Sequence, residues 1–317
     1  MKKFLTKLCV FIFISSAILL VLNYLYIPIS TQNFDTDRFR DMPERIRICN
    51  LGSSHTEYGF RYDEVSDKFP CFNFSFPSQT LMYDYRLLQN YVNRIDEGGI
   101  VFIAISYFSL FGRPEDESDL FIAMNNRYYK ILPPNLIKNY DFMTDFIIND
   151  FPIMTLDMKN VYNAIRGINE VELQMEETAD RFLDYIKELG EKQAAVHMKD
   201  VRAGENGNIF YSQERTEALH NIIALCREKK LIPILITTPY LREYYEPAKR
   251  DTEFMKVFRS TMNDIIESEK VRYYDYSEDE RFSHNYKLFF DTDHLNRKGA
   301  LEFTKIVLND VMRDLEQ

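Results

Sequence analysis

The sequence predicts an α/β protein: an open parallel sheet of five strands in the order 2-1-3-4-5, with helices on both faces and one apolar helix in front. Three observations predict it. Short runs rich in β-branched and apolar residues, at 46–51, 71–74, 100–105, 231–237 and 271–276, alternate with stretches of helical periodicity. The runs at 100–105 and 231–237 are almost continuously apolar, as strands covered on both faces must be. The first run breaks at Gly52 into Ser53-Ser54-His55. A strand ending in a tight turn is how parallel sheets present polar groups at their C-terminal edge.

In chain order, Lys2, Lys3 and Lys7 precede an apolar span from Leu8 to Ile27 whose one strongly polar side chain is Asn23. About 20 residues rising 1.5 Å each cover roughly 30 Å, one hydrocarbon core. The lysines predict a cytoplasmic start over 1–7, an anchor over 8–29 and everything later beyond the membrane. The bulky residues Tyr24-Leu25-Tyr26-Ile27-Pro28 offer no small-x-small cleavage site, so the anchor is expected to be retained. Residues 30–45 are polar and read as a linker, and 62–69 as a short helix. From 81 to 95, Leu81, Tyr85, Leu88, Tyr91 and Val92 recur at the helical period, and Gly98-Gly99 is expected to end that element.

Residues 112–207 break the α/β rhythm. They carry Pro114, Pro133-Pro134 and Pro152, then Leu173, Met175, Phe182, Ile186 and Leu189 among many acids. A helical insertion that caps the sheet, or gates a site, is expected within a single domain spanning 46–317. The rhythm resumes where Ser212 is placed to cap a helix to 229, and Thr238-Pro239-Tyr240 turns off the fourth strand. Asp251 or Thr252 starts a helix to about 268, and Asn296 caps a final helix over 297–316. The resulting strand order is flavodoxin-like.

The net charge of −10 argues against nucleic acid, which requires basic stripes. Cys9, Cys49, Cys71 and Cys226 form no C-x-x-C pair and read as free thiols. With 45% hydrophobic residues, 25 Phe and 21 Tyr, the chain can fill a large core. The loop at 204–208 fits no EF-hand and carries no phosphate-loop lysine, and no cofactor is expected.

Chemistry concentrates at the two ends of the predicted domain. Ser54 stands in the first turn. Asp291 precedes His294 by three residues, a spacing that lets a carboxylate orient an imidazole toward a hydroxyl. His55, Asp291, Asp293 and His294 could alternatively hold a metal. That reading leaves the serines without a purpose and lacks separated ligand pairs, so no metal is expected. His197, His220 and His284 carry no partner signal, and Arg297 and Lys298 read as helix-surface charges.

Gly52-Ser53-Ser54 resembles block I of the SGNH/GDSL hydrolase superfamily, and Asp291-x-x-His294 resembles block V. Asn73-Phe74-Ser75-Phe76-Pro77-Ser78-Gln79-Thr80 has the spacing of block II, with Ser78 where that block has glycine. Where block III supplies an Asn, this chain has Ile105-Ser106-Tyr107-Phe108-Ser109. The pattern is most similar to membrane-anchored members, such as the D-alanyl transfer protein of teichoic acid modification and the alginate O-acetylation proteins. The resemblance implies Ser54 as nucleophile, His294 as base and Asp291 as its orienter. It also implies an oxyanion hole built from the backbone N–H groups of Ser54 and Ser78, with Ser53, His55, Asn73, Ser106 and Tyr107 as supporting candidates. An esterase or O-acyltransferase acting on cell-surface polysaccharide or another envelope polymer follows, with a polytopic membrane acyltransferase as a candidate partner. Without the block III Asn, the alternative is a catalytically silent glycan-binding scaffold for such an acyltransferase. The motifs do not choose between water and a glycan hydroxyl as acceptor.

Overall fold

The computed structural model describes residues 2–30, 36–65, 68–112, 124–167 and 185–316. They fall into two compact units, one formed by 43–118 with 171–317 and the other by 1–42 with 119–170. The described helices of eight residues or more, with the short α2 that opens the serine turn, are α1 Lys2–Ser30, α2 Ser54–Glu57, α3 Leu81–Tyr91, α4 Met158–Arg166, α5 Ile186–Val201, α6 Gln213–Glu228, α7 Arg242–Lys249, α8 Thr252–Glu269 and α9 Arg297–Leu315.

The larger unit is built on strands β1 Ile46–Leu51, β2 Cys71–Asn73, β3 Ile95–Ala104, β4 Ile232–Thr237 and β5 Arg272–Asp275. All neighbours pair in parallel, in the order β2-β1-β3-β4-β5. The two-residue period of the strands divides the core. Ile48, Ile100, Phe102, Ile234 and Ile236 join Phe303, Val307 and Val311 of α9 in one apolar cluster. Cys49, Leu51, Val101, Ile103 and Leu235 alternate with them and are equally inaccessible. Each such aliphatic or aromatic side chain contributes about 1.5–3 kcal/mol on burial. The expected caps form: the side chains of Ser212, Asp251 and Asn296 accept from the N–H groups of Arg215, Phe254 and Gly299 at 3.3, 3.0 and 3.0 Å.

Three expectations need correcting. The glycines Gly98-Gly99 do not end α3, which closes earlier through the turn Val92–Arg94. They lie inside β3, where the β1–β3 register shifts between Ile46 and Ile48 and Gly98 takes a φ of +74°. A bulge needs that backbone freedom, so the glycines serve the strand. No helix forms at 63–65, which are turns; 66–67 lie outside the described residues. The expected 112–207 insertion is also shared between the two units. Its end, α5, belongs to the sheet unit and packs on α7, where a Cβ at Gly190 would stand 2.1 Å from the Glu243 carbonyl oxygen. The expected helical positions Leu173, Met175 and Phe182, with Pro114, lie outside the described residues.

The smaller unit contains α1 and residues 124–167. With a mean hydropathy of 2.5 over its most apolar window, α1 is long and apolar enough to cross a membrane. It starts at Lys2, so the helix takes in the basic residues as well as the expected 8–29 span. A turn Phe142–Asp145 is capped by Asp141, and α4 is bounded by the Asp157 side chain at its start and Gly167 at φ +64° at its end.

Candidate active site

The site begins with Gly52, where β1 gives way to α2. Its φ is +141°, and a Cβ there would lie 2.3 Å from Ala104 Cβ and 2.5 Å from Thr56 Oγ1. Only glycine lets the chain turn this sharply against β3. Buried amides hold the turn from beneath. Asn50 Nδ2 donates to Asn73 Oδ1 and to Ser75 Oγ, both at 2.8 Å, while Tyr62 donates its hydroxyl proton to Asn50 Oδ1 at 2.9 Å. Asn73 Nδ2 donates to the carbonyls of Thr56 and Glu57 at 3.3 and 3.2 Å. Asn73 therefore braces the turn. Ser53 contributes its carbonyl, which accepts the N–H groups of Thr56 and Glu57, and its side chain makes no capping bond.

Ser54 opens α2 with its Oγ 2.8 Å from His294 Nε2. On the other side of that ring, Nδ1 lies 2.8 Å from Asp291 Oδ2 and 3.0 Å from Oδ1. Asp291 is itself fixed, because Oδ1 accepts the backbone N–H groups of Asp293 and His294 at 3.0 and 2.8 Å. The imidazole stacks on Phe290 and meets Tyr58 edge-on. With Asp291 accepting the Nδ1 proton, the neutral ring turns its Nε2 lone pair toward Ser54.

Beneath this row lies a second, fully buried one. His55 Nε2 is 3.1 Å from Asp293 Oδ2, and His55 Nδ1 is 2.7 Å from Ser106 Oγ. Burial holds His55 below its ordinary value, outweighing the Asp293 hydrogen bond. The ring is therefore neutral, donating from Nε2 to Asp293 and accepting the Ser106 hydroxyl proton at Nδ1. Asp293 is buried too, which alone would raise it; the nearby His294 charge and the His55 hydrogen bond overcome that and hold it well below the usual carboxylate range.

His294 thus faces two carboxylates, Asp291 at hydrogen-bond distance and Asp293 Oδ1 at 3.7 Å. Burial disfavours its charge, yet the Asp291 and Asp293 carboxylates prevail and push it up to about 9. Two pH units below such a value, only about one ring in a hundred is neutral. Acylation by an activated ester should therefore rise about tenfold per pH unit from neutrality and level off only near pH 9. A stopped-flow profile that is flat above pH 7 would show that the carboxylates do not hold the proton. The same shift makes the imidazolium stabilising. Its contribution is full below about 6.5 and is lost as pH rises through about 9.

Ser78 is exposed and adopts a φ of +53°, the left-handed conformation glycine takes without strain. Among the described residues, the backbone N–H groups of Ser54 and Ser78 donate to no protein acceptor. Two of the three hydroxyls after β3 are engaged with other side chains, and the third accepts a backbone bond. Ser106 is spent on His55, Tyr107 bonds Ser277, and Ser109 Oγ accepts the Ser106 N–H at 2.8 Å.

Sequence reasoning missed Asn50, the role of Asp293, and His197. From α5, His197 lies 2.6 Å from the Tyr244 hydroxyl with its ring 4.3 Å from Phe108, and burial lowers it to about 4. Asp293 did stand in a legible place, one residue before His294. Arg297 pairs with Asp63 at 3.5 Å, and His220 with Glu269 at 2.6 Å. For a metal, His55, Asp293 and His294 bring one ligand atom each within 4.8 Å of one another. A cation there would have to displace a hydrogen bond at each imidazole, because both nitrogens of His55 and of His294 already have partners.

No protein-family model matches the chain, and no curated protein matches it. Among solved structures, a "putative acylhydrolase" from Bacteroides fragilis aligns with a TM-score of 0.43 at 9% identity, over 89% of this chain and 98% of that one.

Proposed function

We propose that the protein is a membrane-anchored serine enzyme of the SGNH type, an esterase or O-acyltransferase that works through an acyl-Ser54 intermediate. The observation that carries the reading is the continuous row Ser54–His294–Asp291, with both contacts at 2.8 Å. His294 takes the Ser54 proton as Oγ attacks an ester carbonyl, and Asp291 holds the ring in the productive tautomer. The free N–H groups of Ser54 and Ser78 receive the oxyanion, and His294 then returns the proton to the leaving alcohol. Water or a glycan hydroxyl resolves the acyl-enzyme by the same steps in reverse.

The anchor and the resemblance support an extracytoplasmic domain acting on cell-surface polysaccharide or another envelope polymer, served by a polytopic acyltransferase. One oxyanion donor is typically worth about 3 kcal/mol, roughly a hundredfold in turnover. With the Ser106 hydroxyl turned to His55, hydrolysis is slow and the acyl-enzyme persists until an acceptor arrives. The same shortage favours the second reading, a silent scaffold. Turnover of p-nitrophenyl acetate by purified full-length protein, with and without glycan acceptor, separates them. Slow turnover that acceptor accelerates supports transfer, whereas none under any condition supports the scaffold. The anchor has its own test: full-length protein should stay with membranes through carbonate extraction, and release with an N-terminus near residue 30 would contradict it.

A further inference from the structure

The smaller unit carries an apolar surface that the catalytic reading does not use. Phe142, Met143, Met154, Leu156, Met158, Tyr162 and Ile165 are all exposed, Ile165 at 80%. In α4 the pattern is inverted relative to a helix on a water-soluble core. Met158, Tyr162 and Ile165 share the exposed face, while the residue buried against the protein is Asn160. Lys159 and Arg166 border the apolar stripe on one side, with the Arg166 guanidinium 5.3 Å from the Tyr162 ring centre, a distribution that suits a basic amphipathic helix at a lipid surface.

The attachment of this segment to α1 sets its depth. Asn23 Nδ2 donates to the Asp150 carbonyl at 2.8 Å, and Asn23 Oδ1 accepts the Ile153 N–H at 3.1 Å. One turn on, the Tyr26 hydroxyl accepts the Asp157 N–H at 3.0 Å. The single strongly polar side chain of the apolar span is thereby satisfied by backbone from 150–153. Asn23 lies four residues before Ile27, the end of that span, which is about 6 Å of helix. An amphipathic helix lying in a bilayer surface buries its apolar face to about 5–10 Å, the same level. Tyr24 and Tyr26 mark that level as well.

We infer that residues 142–166 form a platform lying in the bilayer surface at the outer end of α1, with lipid as the partner of its exposed apolar face. The inference rests on the reading of α1 as a membrane span, and the test separates the two. The chain has no tryptophan, so one introduced residue reports alone. Full-length Met143→Trp, Lys159→Trp, Ile165→Trp and Leu20→Trp would each be reconstituted, at about one chain per vesicle, into phosphatidylcholine vesicles carrying lipids brominated at shallow or deep acyl positions. At 143 and 165, blue-shifted emission that shallow bromines largely extinguish is expected, with Lys159→Trp affected less. Leu20→Trp should respond to deep bromines. Water-like emission at 143 and 165 beside a quenched Leu20→Trp would overturn the platform and leave the anchor standing. Blue-shifted but unquenched emission at 143 and 165 would mean a second copy covers the face, which also overturns it. An unquenched Leu20→Trp would remove the anchor and the platform together.

Discussion

Ser54→Ala should lower ester cleavage by on the order of 10⁴- to 10⁶-fold, leaving what binding and the oxyanion amides supply. The fold should survive. Ser54 is half-buried at the first position of α2, its side chain bonds His294, and alanine is a good helix former. Ser53→Ala is the matched control, because Ser53 contributes its carbonyl to the turn and backbone survives the substitution. It should stay within about tenfold of the parent. Steady-state turnover with matched melting curves decides the point. If Ser53→Ala is the silent variant, the nucleophile has been placed one residue too late.

Asp291→Asn should cost about 10⁴-fold in acylation while leaving the loop intact. The amide oxygen can still accept the N–H groups of Asp293 and His294, as Oδ1 does now. The amide nitrogen, however, would face His294 Nδ1 as a donor and drive the ring proton to Nε2. An imidazole protonated at Nε2 cannot accept the Ser54 proton. A loss of less than about tenfold, at unchanged stability, would mean that Asp293, 3.7 Å from the same ring nitrogen, does the orienting instead.

The sheet was legible because its determinants are local. Apolar runs such as 231–237 and caps such as Ser212 and Asn296 act within a few residues of themselves, and the alternation of strands and helices with a polar turn after the first strand points to the doubly wound order. Gly98-Gly99 misled, since a glycine pair punctuates a helix end and a strand bulge alike, and only the β1 register distinguishes them. Ser54, Asp291 and His294 were legible as a turn serine and a D-x-x-H pair. Their convergence across 240 residues is a property of the sheet edge. The lower row was legible only in part, since His55 and Ser106 stood among the supporting candidates while their contacts with each other and with Asp293 did not. Asn50 reads as a strand residue, and the roles of His55 and Ser106 arise where separate strand ends meet in the core. The division of 112–207 between two units was hidden as well, because the partners of 150–157 are Asn23 and Tyr26 in the N-terminal helix, more than a hundred residues away.

The most direct measurement is mass spectrometry of full-length protein quenched within seconds of mixing with an activated ester at pH 9, where His294 is half neutral. An acyl adduct confined to the peptide bearing Ser54, absent from Ser54→Ala and discharged faster when glycan acceptor is added, is the predicted result. A folded protein that takes up no acyl group from any activated ester, or carries it on another residue, would contradict the account.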